Sequence, residues 1–416
     1  MAATIIYNCR SGDTNAGAST YYSPPGSYIN VATSATSDST EAVTKVLHRT
    51  AGSYARLFVL VVTNSVASTS TINGRKNAAA GTLTVSVGAS TTGEFVDNTN
   101  RDDLASGDYY CWELTLAGAG SFRYQVSAQF TASNGSTVSL WNNLPNGVSA
   151  ASTTFYIAAS GGSVLQAVTE AFKQYQVQQA GTWQKLSMHV QLNARTTDST
   201  FRNRINGADG AMAVTVAAST TGEFEDASNT NAVAAADLIN LSLTTGTGTG
   251  SINARWMRSE YVYANPSLMQ VGSCVSTQTV NASATAYFFP SGRLDQDATE
   301  ANTAMDVPFA FRASKLQCYI SANTIVGTST LNLRKNAGAG GPSVSITGLT
   351  AGWFSDTSNT ADFAKGDEWN LEIVGGAAGT SLSLASAGCV VDGFTGRPLI
   401  NAGLMNRGLI NAGLVN

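Results

Sequence analysis

Residues 82–87 read TLTVSV, with Leu83, Val85 and Val87 alternating against Thr82, Thr84 and Ser86. A period of two with one apolar side predicts a half-buried β-strand. The pattern returns at Met212, Val214 and Val216, and again at Val344 and Ile346 set against Ser343, Ser345 and Thr347. A second alternating set is Tyr110, Trp112 and Leu114, repeated as Ile239, Leu241 and Leu243 and as Trp369, Leu371 and Ile373. The longest apolar run, LFVLVV at 57–62, is too short to cross a bilayer and reads as a buried strand. Clusters of Gly, Asn and Ser punctuate these runs as turns. One stretch, SVLQAVTEAFKQYQVQQ at 163–179, has helix-like spacing. Its counterpart further on carries Pro308 within VPFAF and reads as a strand, so a strand is expected in both.

These recurrences belong to one repeat. ASTTGEF stands at 89–95 and at 218–224, and LTAGWF follows at 349–354. Phe95, Phe224 and Phe354 are therefore 129 and 130 residues apart, and other positions keep the same offsets. TEA recurs at 40–42, 169–171 and 299–301. A basic residue before Leu recurs as Arg56-Leu57, Lys185-Leu186 and Lys315-Leu316. INGRKN, RNRIN and LNLRKN align Arg75, Arg204 and Arg334. Asp97, Asp226 and Asp356 follow, then Asp108, Asp237 and Asp367. Each repeat holds roughly eight to ten strand candidates, the content of a double-sheet jelly roll. The expected fold is all-β: three tandem, homologous, jelly-roll-like β-sandwich domains over 1–132, 133–265 and 266–396, then a short pentapeptide-like tail over 397–416.

Composition narrows the functional classes. Hydrophobic residues are 43% of the 416, enough for real cores, but charged residues are only 12%, against a usual share of roughly 25%. The polar surface is built from hydroxyls and amides, which suits dense packing in an assembly or life outside a cell. Net charge is −4 and no long basic block exists; FRNR at 201–204 and RWMR at 255–258 are the densest clusters. Nucleic acid is not an expected partner. The opening MAATIIYNCRSG lacks the basic and apolar regions of a signal peptide, so synthesis in the cytoplasm without membrane insertion is expected. The five cysteines, at 9, 111, 274, 318 and 389, form no metal-binding spacing and read as buried thiols, with a Cys274–Cys389 bridge as the alternative.

Candidate chemistry is sparse. DNTNRDDLASGD at 97–108, with its counterparts at 226–237 and 356–367, reads as a loop with Asp at both ends. Calcium coordination is one use of such oxygens, but the spacing of a calcium loop is absent, and Asp side chains fixing a turn is the favoured reading. The recurring Arg is expected at a strand end, paired with a loop carboxylate such as Asp97. Tyr21-Tyr22, Phe155-Tyr156 and Tyr287-Phe288-Phe289 could stack on sugars, with packing between sheets the better expectation. His48 and His189 are the only histidines, do not share the repeat offset, and stand near no nucleophile motif. No catalytic residue, cofactor or metal is expected, and the sequons at Asn134, Asn240 and Asn281 are short enough to arise by chance.

The tail reads LINAG-LMNRG-LINAG-LVN. Leu399, Leu404, Leu409 and Leu414 repeat every five residues, as do Asn401, Asn406 and Asn411. So short a run cannot form its own core, and it reads as a docking or oligomerisation segment.

The theme T-x-N-x-R-K-N … T-T-G-x-F-x-D-x-x-N-T … G-D, at 71–108 and 330–367 and more loosely at 200–237, resembles structural proteins of tailed bacteriophages. The likeness covers about half of the chain, and the second copy departs from it with RIN for RKN and AAD for GD. It implies a non-enzymatic virion component of decoration, fibre or tail-associated type. Its expected partners are further copies of itself and other virion proteins. A carbohydrate- or receptor-binding module of a fibre, meeting a host surface glycan, is the alternative. An extracellular filament or surface-layer subunit comes third.

Overall fold

The computed structural model describes residues 4–10, 14–16, 19–25, 39–160, 167–291, 296–307 and 309–393. Strands dominate, and they fall into three successive sets. The first is β1 (Thr4–Arg10), β2 (Thr14–Ala16), β3 (Ser19–Ser23), β4 (Val46–Leu47), β5 (Gly52–Asn64), β6 (Ser70–Lys76), β7 (Ala79–Val87), β8 (Gly93–Leu104), β9 (Tyr109–Leu116) and β10 (Gly120–Ala132). The second is β11 (Thr137–Val148), β12 (Thr154–Ile157), β13 (Tyr175–Gln176), β14 (Gly181–Asn193), β15 (Ser199–Ile205), β16 (Ala208–Val216), β17 (Gly222–Val233), β18 (Leu238–Thr244) and β19 (Ile252–Tyr263). The third is β20 (Leu268–Asn281), β21 (Thr285–Phe288), β22 (Gln296–Asp297), β23 (Met305–Asp306), β24 (Phe311–Ile325), β25 (Ser329–Lys335), β26 (Gly338–Ile346), β27 (Gly352–Phe363), β28 (Glu368–Val374) and β29 (Gly379–Gly393).

Each set makes two antiparallel sheets with the same wiring. In the first, the orders are β1-β10-β5-β8 and β3-β9-β6-β7; in the second, β11-β19-β14-β17 and β12-β18-β15-β16. In the third they are β20-β29-β24-β27 and β21-β28-β25-β26, with β22 added at the edge. Within a unit the first long strand pairs the last, the second pairs the seventh, the third the sixth and the fourth the fifth. That is one long antiparallel ribbon wrapped around a core, the jelly roll.

The alternating residues line the interiors. Leu83, Val87, Met212, Val216 and Ile346 are fully enclosed, and Trp112, Trp183 and Trp369 are among the largest buried side chains. Close approach of β5 to β10 is kept by Gly52, whose missing Cβ leaves room for the Phe130 ring and the Thr131 carbonyl. Gly181 does the same for the Tyr261 ring. In the third unit the aligned position is Phe311, which supplies the ring itself, stacked on Phe363 at 4.9 Å. The aromatic plug is thus provided once per sandwich, from either side.

Two local expectations are corrected. The segment 97–108 is mostly strand: β8 runs to Leu104, as β17 and β27 do to Val233 and Phe363. It looks like a loop because an edge strand has no buried outer neighbour and can be polar throughout. The register jumps here, Leu57 facing Asp97 while Ala55 faces Arg101, so residues 98–100 bulge outward. The segment 163–179 is neither a helix nor a continuous strand in its described part. One 3-10 turn, Glu170–Lys173, follows the TEA threonine and precedes the two-residue β13. Turns at Glu41–Val43 and Glu300–Asn302 occupy the same place in the other units. Leu399, Leu404, Leu409, Leu414, Asn401, Asn406 and Asn411 lie outside the described residues.

Candidate functional site: three clasps and three seams

The recurring polar residues build the same three clasps in each unit. The first closes the bulge. Asp97 Oδ1 accepts the N–H groups of Thr99 and Asn100, each at 3.1 Å. Its Oδ2 accepts Thr84 N–H at 3.0 Å and the Asn100 amide at 2.9 Å. Asp226 holds Ser228, Asn229 and Ala213 in the same way, and Asp356 holds Ser358, Asn359 and Ser343. Burial pushes the Asp97 carboxyl up, but the donors of Thr84, Asn100 and Thr99 outweigh it and hold it down at about 2. A carboxylate ringed by N–H donors presents those donors, rather than free oxygens, to its surroundings. That is the reverse of what a cation needs. Among the described residues no group of three or more His, Cys, Asp or Glu side chains is placed to hold a metal ion.

The second clasp explains the RKN motif. Asn77 and Ala78 form the two-residue turn between β6 and β7, with φ of 51° and 64°. Two successive left-handed residues make the turn that matches strand twist, and Asn tolerates the first position. Asn206 with Gly207, and Asn336 with Ala337, repeat it. The Asn77 amide donates to Asp108 at 2.7 Å while its carbonyl accepts Tyr109 N–H at 2.8 Å. Asp237 and Asp367 receive Asn206 and Asn336 likewise.

The third clasp corrects the expected partner of the Arg. Arg75 bonds Glu41 at 2.9 Å, not Asp97. Arg204 bonds Glu170 at 2.6 Å, and Arg334 bonds Glu300 at 2.9 Å. All three acceptors are the Glu of TEA, so two recurring motifs 34 residues apart are the halves of one ion pair. Tyr22 and Tyr156 lie against the Arg75 and Arg204 guanidiniums, 5.9 and 5.4 Å from ring centre. Phe155, Phe288 and Phe289 are buried. Phe95, Phe224 and Phe354 pack at the rim of the cores. Cys111, Cys318 and Cys389 are buried free thiols.

Between the units lie features that the repeat did not announce. The residue after strand β4 is pinned to the turn after β8: His48 N–H donates to Asp108 O, and Gly107 N–H to His48 O, at 2.8 and 2.7 Å. Val177 with Asp237 and Val307 with Asp367 are held identically. Each pinned segment projects onto the next unit. Arg49 pairs Glu225 of the second unit, and Thr50 donates to Glu260 at 3.1 Å. Tyr109 donates to Glu223 at 3.4 Å. His48 is wholly buried between Tyr54, Phe130 and Trp141, the last from the second unit. Burial, then the charge of Arg258, lowers its pKa well below the ordinary value, against a small opposing effect of Asp108. Leu47, Arg49, Ser187, Glu223, Phe224, Glu225 and Trp256 line a cavity of about 120 Å³ in this seam.

In the second seam, Gln178 N–H donates to Gln270 at 2.9 Å, and its amide donates to Gln317. The side chains of Gln270 and Gln317 donate to Gln176 O at 2.7 and 2.8 Å. In the third, Glu368 meets Glu94, and Asp306 feels the charge of Arg56. Arg123 stands 3.7 Å from Asp297. Repeat offsets align Arg49 with Gln178, Ser187 with Gln317, and the pair Tyr109–Glu223 with Glu368–Glu94. The contacts therefore run in one sense, first unit onto second, second onto third, third onto first. A head-to-tail contact that returns to its start is a closed ring.

Fold and seams together define a tandem triple jelly roll closed on itself. No protein-family model matches the chain, and no curated protein sequence matches it. Among solved structures it is similar to a chain of "Life in the extremes: atomic structure of Sulfolobus Turreted Icosahedral Virus". That chain is 15% identical, with 82% of this chain and 80% of that one covered, at a TM-score of 0.19. It is also similar to a chain of "The Triple Jelly Roll Fold and Turret Assembly in an Archaeal Virus". There the identity is 13%, the coverage 84% and 82%, and the TM-score again 0.19. At that score neither likeness bears on the reading; the jelly roll rests on the strand order above.

Proposed function

We propose that this protein is a non-enzymatic structural subunit of a virus particle, in which one chain supplies a ring that would otherwise take three jelly-roll subunits. The observation that carries the reading is the cyclic set of seams, with buried aromatic, amide and ionic contacts spent on holding sandwiches to one another. On this reading 1–132, 133–265 and 266–396 are its domains, and Arg75, Asp97, Asp108 and their counterparts serve each sandwich rather than a ligand. The tail over 397–416 docks the ring to further copies or to other particle proteins. The aromatic pairs are taken up by packing and by the Arg–Glu clasps, which weighs against a glycan-binding module. Decoration, fibre or tail-associated placement remains the finer part of the proposal.

Particles purified from infected cells test it directly. Mass spectrometry should find the chain in stoichiometric amount, and a particle lacking it altogether would end the reading. Deleting 397–416 should leave the ring folded and abolish its incorporation.

A further inference from the structure

The two histidines of the chain meet one pair of indoles. Trp141 and Trp256, both of the second unit, stand 6.4 Å apart and pack against the core of the first. His48 tilts on Trp141 at 6.1 Å, and His189 on Trp256 at 6.0 Å. His48 comes from the first unit, at the pinned position that Val177 and Val307 hold in the others. One joint of three therefore has an imidazole where its counterparts have an aliphatic side chain. That ring is wholly enclosed, with Tyr54, Tyr110, Phe130 and Trp141 at 5.3–6.4 Å. Its Nε2 lies 3.4 Å from the Tyr54 hydroxyl, and its Nδ1 has no hydrogen-bond partner among the described residues. A neutral imidazole tolerates such a box. An imidazolium has two N–H donors to satisfy and a charge to bury, which is costly without a counter-ion.

We propose that the first seam is an acid-released joint: His48 caps the second unit's Trp141 while neutral and lets that unit go on taking a proton. The surrounding charges favour release. Arg258 already lies over Trp141, 5.3 Å from the ring centre, so protonation brings a second cation to the same indole. The nearby carboxylates are engaged elsewhere. Asp102 accepts the Tyr110 hydroxyl at 2.8 Å, and Asp108 holds Lys76 and Asn77. Glu260 holds Arg258 and Lys185, and Glu225 holds Arg49. Cation–π attraction to the rings offsets part of the cost. Burial, then the charge of Arg258, keeps the imidazole neutral well into acid, against Asp108. Docking therefore sheds a proton. The joint is firm above about pH 6.5, where a free imidazole is neutral too, and weakens as pH falls below that value. His189, lowered by burial, acts in the same sense. Glu223, opposite it in register, is raised by burial against the Tyr109 bond, Arg49 and Lys45, and acts in the other. Burial raises Glu260, but Arg258 and Lys185 outweigh it, so that group matters only below the ordinary carboxyl range. A loosening between about pH 7.5 and about pH 5 belongs to histidine. Residues 133–136 keep the two units tethered, so release turns the ring into an open row.

Hydroxyl-radical footprinting of the full chain, corrected for radical dose, reads the joint through its indoles. Trp141 and Trp256 are 2% exposed in the closed ring, while Trp183 and Trp369 sit in the cores of the second and third units. Oxidation of Trp141 and Trp256 should rise about tenfold from about pH 7.5 to about pH 5, with Trp183 and Trp369 unchanged. His48→Val, which installs the residue of the other two units, should abolish the rise. His48→Phe, which keeps a ring in the box, should do the same and serves if the valine variant folds poorly. His189→Tyr, matching Tyr319, should retain most of the rise. Flat oxidation of Trp141 and Trp256 in the wild type overturns the joint, as does a rise shared by all four indoles. A rise that survives in the folded His48 variants, or vanishes in His189→Tyr, overturns the assignment to His48.

Discussion

Asp97→Asn tests the bulge clasp. The substitution keeps the shape and one acceptor oxygen, but replaces Oδ2 with an amide facing two donors, Thr84 N–H at 3.0 Å and the Asn100 amide at 2.9 Å. Two bonds to a charged group are lost and two donors are left facing a third. Residues 98–100 are exposed, so water reclaims part of the loss. The carboxyl's pKa provides a second measure. A fall from the ordinary 3.8 to about 2 corresponds to about 2 kcal/mol at neutral pH. Hydrogen-bond costs of about 1.5–3 kcal/mol for a charged acceptor agree. The first unit should melt roughly 5–8 °C lower, given the entropy of unfolding of a domain this size. Because the folded value is depressed, this stability is present above the ordinary carboxyl range and lost as pH falls towards about 2. The melting gap between variant and wild type should therefore close in acid. Calorimetry of the full chain, with exchange at Thr84, Thr99 and Asn100 assigning the transition, makes the measurement. A gap under about 1 °C at neutral pH, or one unchanged near pH 2, refutes the account.

Further consequences follow from the other contacts. Arg334→Lys should lower the stability of the third unit by about 1 kcal/mol, since an ammonium cannot reproduce the two-point contact with Glu300; urea unfolding measures it. Lys315 has φ of 52°, so Lys315→Val should cost about 1–2 kcal/mol in the same assay while Lys315→Gly costs nothing. An added Cβ at Gly181 would collide with the Tyr261 ring and the Val262 carbonyl; Gly181→Ala should cost about 2 kcal/mol or more, visible as a lower thermal midpoint.

What the chain discloses before folding depends on how local the signal is. Alternation at Leu83, Val85 and Val87 exposes the strands, and the 129- and 130-residue offsets expose the repeat. Together they reach the sandwich class. The Arg clasp was visible as two recurring motifs, but nothing in spacing alone says that Glu41, rather than Asp97, meets Arg75. Topology makes that match, by bringing the 3-10 turn beside the end of β6. The seams were hidden for the opposite reason. A repeat is recognised by what stays the same, and seam residues differ: Arg49 aligns with Gln178, and Tyr109 with Leu238 and Glu368. Even LFVLVV held a clue. Leu57, Val59 and Val61 fill the sandwich, but Phe58 and Leu60, on the outer side, are buried as well. Phe58 aligns with Ser187 and Gln317, both seam residues. An edge-to-edge apolar run in an otherwise alternating strand marks a sheet covered on both faces.

Carrying three sandwiches on one polypeptide changes the kinetics of making a triangle. Separate subunits must meet, at a rate set by how much protein has accumulated. Here the first and second joints close by short linkers, at an effective concentration of about a millimolar or more, and the ring can form at any dilution. Its composition is fixed at translation, with no incomplete or mixed triangles to discard.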